Sequence, residues 1–129
     1  METGITGTCS MVVGDNDTAL AQGSGTLRVL ATPALIALME RTAWESIAGE
    51  LEQGQATVGT AMDMEHTAPT PVGMTVTCES KLVGVDRRAL MFEITASDER
   101  GPVATATHSR FIVDADRFQT KADAKRQAE

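Results

Sequence analysis

The sequence predicts one α+β domain in which an antiparallel sheet wraps around a single long helix. Three observations carry that expectation. Helical periodicity runs from Thr32 to about Glu52, four later stretches alternate with a period of two between short turns, and 129 residues suffice for one hydrophobic core but not two. The domain is expected to span 1–129, with 119–129 either a final helical turn or a frayed tail.

Residues 6–13, Thr-Gly-Thr-Cys-Ser-Met-Val-Val, have the β-branched enrichment of a strand, and Gly14-Asp15-Asn16-Asp17 is a turn signal. Gln22-Gly23-Ser24-Gly25 breaks the pattern before Leu27 to Leu30, which reads either as a short strand or as an extended lead into the helix. Thr32-Pro33 marks the helix start, with a hydroxyl able to cap free N–H groups and a proline where its missing N–H costs nothing. Gly54 marks its end. At about 100° per residue, Ile36, Ala43, Trp44, Ile47 and Leu51 lie within about 60° of Glu40, while Arg41, Glu45 and Glu52 point elsewhere. Glu40 is therefore expected in the middle of a buried apolar stripe. Leu35 and Leu38 make the opposite side apolar too, as expected of a helix enclosed by other elements.

Strands are expected over 55–67, 73–85, 89–98 and 102–113, separated by a Pro-rich loop (68–73), Asp86-Arg87-Arg88 and Asp98-Glu99-Arg100-Gly101. Val76, Cys78 and Leu82 alternate with Thr77, Glu79 and Lys81, and Leu90, Phe92, Ile94 and Ala96 repeat the pattern. Short connections imply antiparallel pairing. One strand, one helix and four antiparallel strands give the hot-dog arrangement, whose exposed sheet edges favour pairing with a second copy.

Composition narrows the function. The chain is 42% hydrophobic and 22% charged, with no apolar run near the ~20 residues of a membrane helix. A formal charge of −7 argues against a nucleic-acid binder. An anionic ligand would need local help from Arg28, Arg87, Arg88 and Arg110, or from Lys121, Lys125 and Arg126. Met1-Glu2-Thr3-Gly4 does not begin a secretory signal, so a cytoplasmic setting is the default. Cys9 and Cys78 form no metal or disulfide pattern and read as small buried hydrophobes.

The residues left for chemistry are an acid, a hydroxyl and an imidazole. A carboxylate in an apolar stripe is costly unless paired or used. His66 ends a predicted strand before the Pro-rich loop, a common place for functional side chains. Thr32 lies two turns before Glu40, so the two could border one cavity. Gly59 marks either a bulge or a close backbone approach, with its N–H a candidate donor to a carbonyl oxygen. His108 and Arg110 share a strand face and read as an interface or phosphate-contacting pair, or as part of a salt-bridged surface strand. No Gly-x-Ser-x-Gly elbow, phosphate loop or metal-ligand spacing is present.

These residues resemble hot-dog thioesterases of the fluoroacetyl-CoA-specific type. The likeness runs through Val29-Leu30-Ala31-Thr32-Pro33, Leu38-Met39-Glu40, Thr57-Val58-Gly59-Thr60, His66 to Gly73 and His108-Ser109-Arg110. It implies Thr32, Glu40 and His66 as catalytic residues, Gly59 and Arg110 as substrate-positioning ones, and a homodimer with sites near the interface. A dimer of dimers is the next assembly to consider. The family's lid is longer and carries a phenylalanine, whereas Ala21 to Thr26 here has none, so fluoroacetyl specificity does not carry over. The expected activity is hydrolysis of a small acyl-CoA thioester, with Glu40 as nucleophile or as base for water, coenzyme A as part of the substrate, no metal and no other cofactor. A non-catalytic acyl-CoA or small-ligand binding module is the alternative. A hydratase of this fold would pair its histidine with an aspartate in a motif this chain lacks.

Overall fold

The computed structural model describes residues 1–127. β1 (Thr6–Val12) leads through a 3-10 turn (Asp15–Asp17) and a short helix α1 (Ala19–Gln22) to the long helix α2 (Thr32–Ile47) and a second 3-10 turn (Ala48–Glu50). Four strands follow: β2 (Gln55–His66), β3 (Thr75–Asp86), β4 (Ala89–Asp98) and β5 (Gly101–Asp114). Helix α3 (Ala115–Asp123) and a 3-10 turn (Ala124–Gln127) come last. The five strands form one antiparallel sheet in the order β1-β3-β4-β5-β2, with β1 and β2 at its edges. This is the expected α+β hot-dog arrangement.

Alternation decides which strand residues meet the helix. Leu35, Met39, Ala43 and Ile47 of α2 are buried with Val76, Cys78, Leu82, Phe92 and Ile94 of the sheet. Each such large side chain contributes about 1.5–3 kcal/mol by leaving water. The helix crosses β1 closely at Gly7, where an added Cβ would lie 2.6 Å from the Ser46 Cβ and 3.0 Å from the Thr42 carbonyl oxygen. Mid-helix Thr42 is buried, and its hydroxyl donates to the Leu38 carbonyl at 2.7 Å.

Two expectations need correction and two open ones are decided. Helix α2 ends at Ile47, because Ala48-Gly49-Glu50 tightens into a 3-10 turn and Leu51 is already extended. Its buried face is set by Leu35, Leu38, Met39, Thr42, Ala43 and Ile47, so Glu40 lies on the flank of that face. There Ile36 is half-buried, Trp44 is 45% exposed and the Glu40 side chain 41% exposed, because the single sheet covers only one side of the helix. Residues 27–30 make only isolated bridges, Thr18 with Leu30 and Val29 with Pro71. Of the two readings of the tail the helical one holds as far as it is described. Among the described residues no helix is long and apolar enough to cross a membrane.

Candidate active site

At the N-terminus of α2, Ala31 takes the cap position and Thr32 opens the first turn with Pro33. The Thr32 hydroxyl does not cap the helix; its Oγ1 lies 2.9 Å from Nδ1 of His66, the last residue of β2. His66 Nε2 is buried and has no hydrogen-bond partner among the described residues. Burial pushes the imidazole below its ordinary pKa, and a backbone hydrogen bond with Ala68 only partly opposes this. The pair opens on a cleft of about 310 Å³ walled by Ala19, Ser24, Val29, Leu30, Ala68 and Pro69. A hydroxyl on a neutral imidazole is the arrangement of a nucleophile and its base.

A second cluster sits two turns further along α2. Arg110 of β5 is only 6% exposed, and its NH1 donates to Glu40 Oε2 at 3.3 Å. Its Nε and NH2 donate to the Thr57 hydroxyl at 2.9 Å and the Thr57 carbonyl at 3.0 Å. Burial pushes the guanidinium down and the Glu40 carboxylate pushes it back up, so it stays charged. His108 is buried beside it, 3.1 Å from Arg110 NH1 through Nε2.

Gly59 makes this cluster possible, and the two readings of that glycine both hold. The β2–β5 register shifts between Gly59 and Ala61, leaving Thr60 as a bulge. The extra residue changes the phase of alternation, so that Thr57 faces inward before the bulge and Met62, Met64 and His66 face inward after it. A Cβ on Gly59 would lie 2.7 Å from Glu40 Oε2 and 3.3 Å from both Arg110 NH1 and His108 Cε1. The glycine is thus the gap through which carboxylate, guanidinium and imidazole meet.

Of the expected residues, Thr32 pairs with His66, and Glu40 pairs with Arg110 beside Gly59. One chain does not bring the two pairs together. Eight residues of helix separate Thr32 from Glu40, about 12 Å at 1.5 Å per residue, and roughly 20 Å of strand separate Gly59 from His66. Glu40 does not line the Thr32 cleft, so the expectation of one shared cavity within the chain fails. The surface reading of His108 and Arg110 fails as well: both are buried and held by Ala61, Thr57 and Glu40. Their phase gave the signal, since they continue the buried series Ala104, Ala106 of β5. Thr57 was missed, because nothing in its sequence context marks a clamp.

Of the six remaining basic side chains considered for an anionic ligand, three hold acids: Arg28 with Asp15, Arg88 with Asp114 and Arg126 with Asp123. Cys78 is a buried hydrophobe as expected, its thiol pushed up to about 12 chiefly by burial. Cys9 is only half-buried, with its Sγ 3.8 Å from Glu45 Oε1.

A hot-dog sheet and helix with a hydroxyl–imidazole pair at the helix start and a guanidinium-held carboxylate on the helix flank define a class, the hot-dog thioesterases. Comparison with known proteins narrows it: the chain belongs to the family described as fluoroacetyl-CoA-specific thioesterase, whose model matches residues 13–116. It is similar to the fluoroacetyl-CoA thioesterase of Streptantibioticus cattleyicolor, with 35% identity over 97 residues, 75% of this chain and 70% of that protein. A solved structure of a fluoroacetyl-CoA thioesterase variant in complex with acetyl-CoA matches with a TM-score of 0.92 at 30% identity, covering 97% of this chain and 98% of the other. A hypothetical protein of Thermus thermophilus, a thioesterase superfamily member, shares the fold with a TM-score of 0.90 at 19% identity, covering 98% of this chain and 93% of the other.

Proposed function

We propose that the chain hydrolyses a small acyl-CoA in a site completed across two copies, with Thr32 as nucleophile, His66 as base and the partner subunit's Glu40 orienting the imidazole. The observation that carries this reading is the Thr32–His66 contact at 2.9 Å together with a buried, unbonded His66 Nε2. In a hydroxyl–imidazole–acid triad the second ring nitrogen needs an acceptor. The edge strand β2 offers a route to one. If two β2 strands pair antiparallel about an axis between Met62 and Asp63, Gly59 and its neighbour Glu40 fall opposite His66 of the partner subunit. The uncovered flank of Ile36, Glu40 and Trp44 beside that edge supports the same pairing.

The steps balance without any other group. Thr32 Oγ attacks the thioester carbonyl while its proton passes to His66 Nδ1. First-turn amides of α2, which have no side-chain cap, are available to the oxyanion, and such a donor contributes about 3 kcal/mol. Collapse expels the CoA thiolate, which takes the proton from His66. Water, deprotonated by the same imidazole, then attacks the acyl carbon; the bond to Thr32 Oγ breaks, His66 returns the proton to Oγ, and the acid leaves. Coenzyme A enters only as part of the substrate, and no metal or further cofactor takes part. Arg110 holds the carboxylate, and Gly59 leaves room for it.

The modest cleft at Thr32, walled by Ala19, Ser24 and Ala68, supports a short acyl group. The lack of a phenylalanine in 21–26 supports a group other than fluoroacetyl. A CoA substrate and two free cysteines support a cytoplasmic setting. Exposed Met91 and Phe111 on the outer face of the sheet support association of two dimers.

Complementation tests the shared site. Glu40→Gln and His66→Ala proteins are each expected to be nearly inactive on short acyl-CoAs, measured by free-thiol release. Co-refolded in equal amounts, they should recover about one quarter of wild-type activity, because half the dimers are mixed and each mixed dimer has one intact site. A mixture as inactive as its components sinks the shared site, and full activity of Glu40→Gln alone sinks the assignment of the acid.

A further inference from the structure

We propose that His108 is a positioning residue for the reaction: its Nε2 lone pair aims the Arg110 N–H that holds the Glu40 carboxylate. The inference rests on the role proposed above for Glu40. Its geometry stands independently. His108 is 2% exposed, and its Nδ1 lies 2.7 Å from the Ala61 carbonyl oxygen. A carbonyl only accepts, so Nδ1 carries the proton and donates it. The neutral ring then has one lone pair left, at Nε2, and Arg110 NH1 donates to it at 3.1 Å. The same NH1 lies 3.3 Å from Glu40 Oε2. One nitrogen of the guanidinium is therefore shared between imidazole and carboxylate, while Thr57 fixes the other edge of the fork.

The surroundings hold the imidazole in that state. Its ring lies 6.2 Å from that of Phe92, and the charged groups facing it are Arg110 and Glu40. Burial first, and then Arg110, push it below its ordinary pKa, against the Ala61 carbonyl and Glu40. Ala61 follows the Thr60 bulge directly, so the irregularity that brings Gly59 inward also stands next to the acceptor for His108. Glu40 is the part-exposed member of the cluster, and Arg110 and His108 are its buried ones. Thr57 holds the planar guanidinium at Nε and NH2, and His108 adds a bond at NH1, the nitrogen that faces Glu40.

Two conservative substitutions separate this role from simple packing. His108→Asn keeps a donor for Ala61 but falls short of Arg110, whereas His108→Gln places an amide oxygen near the former Nε2 position. With short acyl-CoAs and thiol release, His108→Asn should lower kcat up to about 10²-fold with KM within about threefold, the signature of a misplaced catalytic group. His108→Gln should keep kcat within about fivefold. In a Glu40→Gln background, His108→Asn should add less than about twofold. Equal losses in the Asn and Gln variants, a loss carried by KM, or an undiminished effect in the Glu40→Gln background overturns the proposal. If the Asn variant does not fold, the Gln variant decides alone by its kcat. Full turnover by Glu40→Gln removes the reading of Glu40 itself, whereas an inactive Glu40→Gln beside a wild-type-like His108→Asn removes only this inference.

Discussion

The surroundings of Thr32 and of Glu40 on α2 are built on different principles. At Thr32 the site is open: one hydrogen bond joins hydroxyl and imidazole, a buried ring nitrogen has no protein partner among the described residues, and a cleft adjoins both. At Glu40 it is closed: Arg110 donates to Glu40, Thr57 and His108, and His108 donates to Ala61. Buried polar groups are costly when unpaired and rigid when fully paired. The comparison teaches that one half satisfies its polar groups within the chain, while the other leaves a ring nitrogen unpaired beside a cleft.

That contrast can be broken at either end. A large effect is expected at the closed end from Gly59→Ala. The new methyl meets the Glu40 carboxylate at 2.7 Å, the end of a part-exposed side chain that can give way, and only crowds Arg110 and His108 at 3.3 Å, so the fold should survive while the carboxylate shifts. Turnover should fall about 10²-fold with little change in thermal unfolding midpoint, whereas collapse of stability would show that Gly59 serves packing alone. At the open end, Thr32→Ala should abolish acyl transfer to the hydroxyl and Thr32→Ser should retain most of the rate. Because removing one triad member leaves a residual rate, the Ala variant should keep a measurable background above water. Equal activity of Ala and Ser variants would make Glu40 or water the attacking group. The smallest effect is in the pH profile. A base must be neutral to act, and burial holds His66 below the ordinary histidine value of 6.5, so kcat/KM should be full above that pH and fall only as the pH drops through the lowered value. An acid limb centred above 6.5 contradicts the buried base.

Most of the fold was legible because its signals are local. Strand boundaries fall within two residues of the alternation in β2 to β5. Helix α2 starts where Thr32-Pro33 announces it, but its end was read from Gly54 although the tightening begins at Ala48. The four-residue α1 lacks the length for a periodic signal and is held by local bonds, with Thr18 Oγ1 accepting from the Ala21 N–H at 3.2 Å and Gly23 turning at a φ of 73°. The site was half legible. Helical phase drew attention to Glu40 but placed it at the centre of the buried face, because apolar Ile36 and Trp44 weigh the same whether they meet a sheet or lie uncovered. The bond of Arg110 to Glu40 joins residues 70 apart in sequence, and only tertiary pairing reveals it. The bulge at Thr60 was equally hidden, since a single extra residue changes the facing of a strand without changing its composition.

The missing methyl at Gly59 also has a genetic consequence. It ties two codons together: any side chain at position 59 occupies space that the acid at position 40 now uses. A lineage could enlarge residue 59 only after shortening residue 40 to Asp, and each step taken alone would be selected against. The order of substitutions at these two positions is thereby restricted, although they stand 19 residues apart in the chain.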